Sequence, residues 1–219
     1  MVEYRPLQES AYNHVRDQVL SGQLQPGVLY SETKMAAELN ISRTPMKDAL
    51  VRLSQERLID ILPSKGFRLH QMSREDILQT CQARTAVEGF CAMQLSRSPS
   101  TAAARETLRA MEEAQAAMGE FLQDGGEMEA FLDCDLQFHQ ALVDFSGNAE
   151  LRQLFNSYHY RLYFIAREAF QVEGRFQKAY EEHRTILDAV AGDSSGARAY
   201  LAVMGHMEAT RDILLAHHQ

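Results

Sequence analysis

The sequence predicts a mainly α chain in two parts: three helices closed by a β-hairpin, then an all-α bundle of six or seven helices. Three observations carry this. Apolar residues recur at three- and four-residue spacing through most of the 219 residues. All five prolines lie at or before Pro99, so nothing of that kind interrupts a helix afterwards. The charge is also divided. Residues 1–72 carry 9 Lys+Arg against 8 Asp+Glu, and residues 73–219 carry 13 against 22, so the net −8 belongs to the second part. Domains are therefore expected at 1–72 and 73–219, joined by a short link near Gln71-Met72-Ser73. The acidity of the second part either lowers non-specific attraction to polyanions or is simply a solvated surface.

In the first part, Leu7, Ala11, Val15 and Val19 mark a helix ended by Gly22. Gln23-Leu24-Gln25-Pro26-Gly27 makes a tight turn, and Ser31 caps a short helix running to Leu39. Asn40-Ile41 then turns into the stretch Ser42-Arg43-Thr44-Pro45-Met46-Lys47-Asp48-Ala49-Leu50. This opens a helix with two faces: Met46, Ala49, Leu50 and Leu53 form an apolar stripe, while Arg43, Lys47, Val51 and Ser54 lie on another side. Pro45 is tolerated because a first-turn amide has no partner inside the helix. Strands at Leu58 to Leu62 and Phe67 to His70 flank Pro63-Ser64-Lys65-Gly66, a hairpin wing with a lysine at its tip. Together these make a winged helix-turn-helix for double-stranded DNA. Ser42, Arg43, Thr44 and Lys47 would meet the major groove, and Lys65 and Gly66 the backbone or minor groove.

The second part reads as helices near 73–96, 101–122, 127–145, 149–170, 175–191 and 194–216. Ser73-Arg74-Glu75-Asp76 resembles a capping box, and Gly125-Gly126, Ser146-Gly147-Asn148, Gly174 and Gly192-Asp193-Ser194 are the breaks. Cys81, Cys91 and Cys134 have no paired spacing and read as small buried thiols in a reducing compartment. The opening Met-Val-Glu-Tyr-Arg-Pro has no apolar signal core, and no apolar run is long enough to cross a bilayer. The expectation is a cytoplasmic protein with no membrane partner.

The chemistry lies in what occupies the apolar stripes. Phe131, Asp135, Phe138, Leu142 and Phe145 share one stripe, which sets a carboxylate among phenylalanines, and His139 lies one turn beyond Asp135. Phe176, Tyr180, His183, Leu187 and Val190 form another, and His206 lies on a face with Val203 and Ile213. An unpaired charge in such a core is costly. A bound metal would remove that cost, since carboxylate oxygen and neutral imidazole are both good ligands. The plainer reading is a set of hydrogen-bonded core side chains, which is how His159, His217 and His218 are read. Arg84 shares a stripe with Ile77, Cys81, Glu88, Cys91 and Leu95. It either pairs with Glu88 along the helix or grips a carboxylate in a cavity.

Two resemblances add to this reading. Leu29, Glu32, Ala36 and Leu39, then Ile41 through Leu50 with Leu53 and Leu58, then Lys65-Gly66, resemble the winged-helix domain of GntR-family bacterial transcription regulators. The family usually has Arg-Glu where this chain has Lys47-Asp48. Lysine lacks the two-pronged bond that arginine makes to guanine, so the preferred operator would differ. Asp135-Leu136-Gln137-Phe138-His139, Asn148, Glu182-His183-Arg184, Ile186, Gly192-Asp193, Ala199 and His206-Met207 resemble the all-helical FCD effector domain of the FadR subfamily.

The second resemblance implies a divalent metal, zinc first and otherwise nickel, manganese or iron, held by Asp135, His139, His183 and His206. It also implies Arg84 as a contact for a small organic carboxylate effector. The acyl-CoA-responsive members lack this ligand set, and a count of six helices points to the VanR-type subgroup. The implied protein is a homodimeric regulator, most simply a repressor, on a palindromic operator. Two rivals remain open: a metal-dependent hydrolase or lyase using the centre of one aspartate and three histidines, and a sensor of the metal itself.

Overall fold

The computed structural model describes residues 4–192 and 194–217, side chains at 4–6, 20, 159, 160 and 217 excepted. The expectations for Met1 to Glu3, Asp193 and His218, and for the side chains of His159 and His217, fall outside the described residues. The chain divides into two compact units, Met1–Met72 and Ser73–Gln219.

In the first unit, α1 (Tyr4–Leu20) and α2 (Glu32–Glu38) pack on α3 (Arg43–Gln55). The antiparallel strands β1 (Ile59–Leu62) and β2 (Gly66–Leu69) complete it. Ala11, Val15, Val19, Met35, Ala36, Met46, Ala49, Leu50 and Leu53 are buried, so the predicted stripes do face inward. The Ser31 hydroxyl accepts from the Lys34 amide and caps α2.

Helices α2 and α3 end in the same way. Past the α2 cap, Asn40 turns left-handed at φ 53°, its N–H donates to Ala37 O, and Ile41 N–H donates to Ala36 O. Past the α3 cap, Arg57 at φ 56° donates to Ser54 O and Leu58 to Leu53 O. Both are Schellman closures, and each aims the next segment back at the core. They also start β1 one residue later than the sequence suggests, because Leu58 belongs to the helix closure.

The wing turns through Pro63 and Ser64, with Ser64 at φ 61° and Lys65 N–H donating to Leu62 O. Gly66 has a structural reason of its own. Tyr30 bridges Phe67 through two backbone hydrogen bonds of 2.7 and 3.0 Å, which brings the Tyr30 carbonyl against Gly66. A Cβ there would lie 2.0 Å from that oxygen, so only glycine fits.

Every described element of the second unit is a helix. Its elements are α4 (Arg74–Ser96), α5 (Ala102–Asp124), α6 (Met128–Phe145), α7 (Ala149–Ser157), α8 (His159–Ala169), α9 (Arg175–Gly192) and α10 (Ala197–His217). The Ser73–Asp76 capping box forms in full, and Thr101 and Asn148 cap α5 and α7. Helix α4 runs along α10, and α5 pairs with α6 and meets α9. Gly89 on α4 allows the first of these contacts, since a Cβ there would lie 2.7 Å from the Tyr200 ring.

The helix expected at 149–170 is broken. Tyr158 leaves helical geometry at φ −115°, ψ 9°, and splits the stretch into α7 and α8. The described residues of this unit thus hold seven helices, and the six-helix ground for the VanR-type subgroup is removed. Neither proline nor glycine marks the break. Its physical reason is packing: Phe155, Tyr158 and Leu162 all stay buried while the chain bends from α6 towards α10.

Candidate metal centre

Three helices carry the predicted ligands to one place. Asp135 and His139 stand one turn apart on the inner face of α6, His183 on α9 and His206 on α10. All four are buried, and one ligand atom from each lies within 4.8 Å of every other. His183 Nε2 is 3.2 Å from His139 Nε2 and 3.4 Å from Asp135 Oδ1. Two atoms bound tetrahedrally to one ion at about 2.1 Å stand about 3.4 Å apart, so these separations suit a shared ion. The donor set is also chemically apt. Burial, helped by the neighbouring charges of Arg84, Arg175 and the other imidazoles, holds all three histidines well below their ordinary pKa. They therefore present neutral nitrogen lone pairs. Burial pushes the Asp135 carboxyl up to about 6, against the pull of Arg84 and Arg175. A cation among these groups would relieve the cost of keeping that carboxylate ionised.

Around the four lies a second set of buried groups. Arg84 donates from Nε to Glu88 Oε1 at 2.7 Å, so the intrahelical pair of the sequence reading does form. Glu88 is fully buried, and its other oxygen stands 2.6 Å from His139 Nδ1 without the alignment of a hydrogen bond. On the other side, His206 Nδ1 meets Glu182 Oε2 at 2.7 Å. Glu182 in turn receives Arg175 Nη1 on both oxygens, at 2.9 and 2.8 Å, and Arg175 Nη2 donates to Thr210 Oγ1. His183 Nδ1 has no hydrogen-bond partner, and its ring instead stacks on Phe138 at 4.5 Å and 20°.

A small cavity opens beside the centre. Arg84, Asp135, Arg175, His206 and Thr210 supply its polar lining, and Ala166, Ala169 and Phe170 its apolar side. It has room for about one water molecule. Arg84 thus serves as the partner of Glu88 and as part of the cavity wall.

Sequence reasoning missed Arg175 and Glu182. Arg175 opens α9 directly after Gly174, where a cation reads as solvated. The signal that could have found the pair is its seven-residue spacing, two turns along one face, with Thr210 one turn beyond His206.

In the first unit, Ser42, Arg43, Thr44 and Lys47 are all exposed around the start of α3, while Pro45 and Met46 between them are buried. Ser42 is the α3 N-cap but makes no side-chain cap bond. Lys65 is exposed at the wing tip, and Gly66 beside it is fitted to Tyr30.

Known proteins agree with this architecture. Residues 7–69 match the model of the bacterial regulatory proteins of the gntR family, and residues 79–209 match the FCD domain. The HTH-type transcriptional regulator LutR of Bacillus subtilis is 30% identical over 217 residues, covering 90% of this chain and 95% of LutR. A Paenarthrobacter nicotinovorans protein named "Probable D-xylose utilization operon transcriptional repressor" is 28% identical over 209 residues, covering 89% of this chain and 88% of its own length. Among solved structures, Escherichia coli McbR/YncC superposes with a TM-score of 0.73 at 21% identity over 100% of both chains, which speaks to the fold. These matches describe a transcription regulator and not an enzyme, which sets aside the hydrolase reading of the centre. The chain belongs to the GntR family of DNA-binding transcription regulators, with a winged-helix domain followed by an FCD effector domain.

Proposed function

We propose that this regulator reads a palindromic operator as a cytoplasmic homodimer, and that a small organic carboxylate bound in its second unit changes operator affinity. Repression relieved by the acid is the sign proposed, in line with the name of the Paenarthrobacter relative. The observation that carries the reading is the convergence of Asp135, His139, His183 and His206, all buried, beside a cavity lined by two arginines.

Asp135, His139, His183 and His206 would hold a divalent ion, zinc first and nickel, manganese or iron otherwise, which when bound supplies a positive anchor for a carboxylate. Arg84 and Arg175 orient the acid, since a guanidinium fork matches a carboxylate. Ala166, Ala169 and Phe170 exclude water from the apolar side. A cavity with room for about one water admits an acid only in a more open state. The acid therefore binds two states of the chain unequally, and that difference is what can shift operator affinity. At the DNA, Ser42, Arg43, Thr44 and Lys47 enter the major groove and Lys65 meets the backbone. Gly66, beside Lys65 at the wing tip, meets the backbone or minor groove and also keeps the wing against Tyr30.

A thermal-shift screen of small carboxylic acids on zinc-loaded protein, followed by operator titration, tests this. The expected result is an acid that raises the melting temperature only with zinc present and weakens operator binding. Arg84→Ala should abolish both effects even with zinc held in excess, the excess being needed because releasing Glu88 also loosens His139. An acid that acts equally on zinc-free protein would overturn the reading, and release of operator by zinc alone would make the ion itself the effector.

A further inference from the structure

We propose that Glu88 and Glu182 are positioning residues of the centre: each backs one metal-facing histidine, and each is itself held by an arginine of the cavity wall. This rests on the reading of Asp135, His139, His183 and His206 as metal ligands. The two halves are built alike. Arg84, Glu88 and His139 follow one another on one side, and Arg175, Glu182 and His206 on the other.

The Glu182 half is the better formed. Its carboxylate accepts from His206 Nδ1 at 2.7 Å, which fixes the proton on Nδ1 and leaves the Nε2 lone pair for a metal. Arg175 Nη1, shared between both oxygens at 2.9 and 2.8 Å, holds that carboxylate in place. In the Glu88 half the carboxylate is completely buried, held at 2.7 Å by Arg84 Nε and placed 2.6 Å from His139 Nδ1. A hydrogen-bonded carboxylate gives a metal-binding imidazole added basicity and a single ring orientation, as Glu182 does for His206, while Glu88 stands close enough to restrain the His139 ring without a formed hydrogen bond. His183 is the contrast, with a bare Nδ1 and the Phe138 ring behind it. The metal and anion sites thus share their carboxylates: whatever an anion does to Arg84 or Arg175 reaches His139 or His206 through one glutamate.

Glu182 is the one to test, because it is partly exposed and its loss need not disturb the core. Zinc affinity of chelator-stripped wild type, Glu182→Ala, His206→Ala and the double variant is measured by competition with a colorimetric chelator. Glu182→Ala should weaken zinc binding about tenfold or more. In the His206→Ala background the same change should add less than about twofold, because Glu182 acts through His206. Glu182→Gln keeps the side-chain volume but turns an amide N–H2 towards Arg175 or His206. It should weaken binding about threefold, and it decides the matter if Glu182→Ala does not fold. Unchanged affinity in Glu182→Ala or Glu182→Gln overturns the proposal, as does an equal loss in both His206 backgrounds. A wild-type chain that takes up no zinc overturns the metal reading itself, a distinct result.

Discussion

The two units treat their polar groups in opposite ways. Among the described residues, all twelve buried polar or charged side chains fall in the second unit, from Asp76 to Thr210, and none in the first. The first unit keeps an apolar interior and presents Arg43, Lys47 and Lys65 to solvent. The second builds charge into its core, with Arg84, Glu88, Asp135, Arg175 and three histidines inside one bundle. A DNA-reading surface can be altered without touching what holds it up. A buried ligand site cannot, because the groups that bind are also groups the fold must satisfy.

The largest effect is expected from Glu88→Ala, which strands the Arg84 guanidinium in the core. It should cost about 3–5 kcal/mol in urea denaturation, and a loss below about 1 kcal/mol would mean that water reaches Arg84. Next is metal removal. At a hundredfold excess over its Kd, zinc should stabilise the second unit by about 2.7 kcal/mol. Calorimetry with a chelator should therefore lower that unit's transition by roughly 5–10 °C and leave the first unit's where it was. If both transitions move together, the units do not divide their energetics as described. Arg43→Ala should weaken operator binding by about 1–3 kcal/mol and reduce its salt slope, with stability changed by less than about 0.5 kcal/mol. The smallest effect belongs to Glu9→Ala. It removes the exposed ion pair with Arg52 and should change stability by less than about 1 kcal/mol.

The same contrast explains what could be read from the chain. The winged helix was legible because its core is a simple apolar pattern punctuated by Ser31, Asn40 and Pro63, residues with strong local preferences. Most bundle helices were legible for the same reason, through Ser73, Asn148 and the glycine breaks. The bend at Tyr158 was not, since it answers to packing from α6 and α10 and carries no proline or glycine. In the centre, Asp135, His139, His183 and His206 stood out as polar residues on apolar stripes. Arg175 and Glu182 did not, because a cation at a helix start and an acid beside a histidine look like a solvated face until α10 closes over them. Gly66 holds more than its place in the wing suggested: besides standing next to Lys65 at the tip, it accommodates the Tyr30 carbonyl, a close approach that no sequence pattern displays.

The central claim is that four side chains from α6, α9 and α10 hold one divalent ion. Isothermal titration of chelator-stripped protein with zinc tests it most directly. One equivalent should bind per chain, and His183→Ala should lose that binding without losing operator recognition. No uptake by wild type, or equal uptake by His183→Ala, would contradict it.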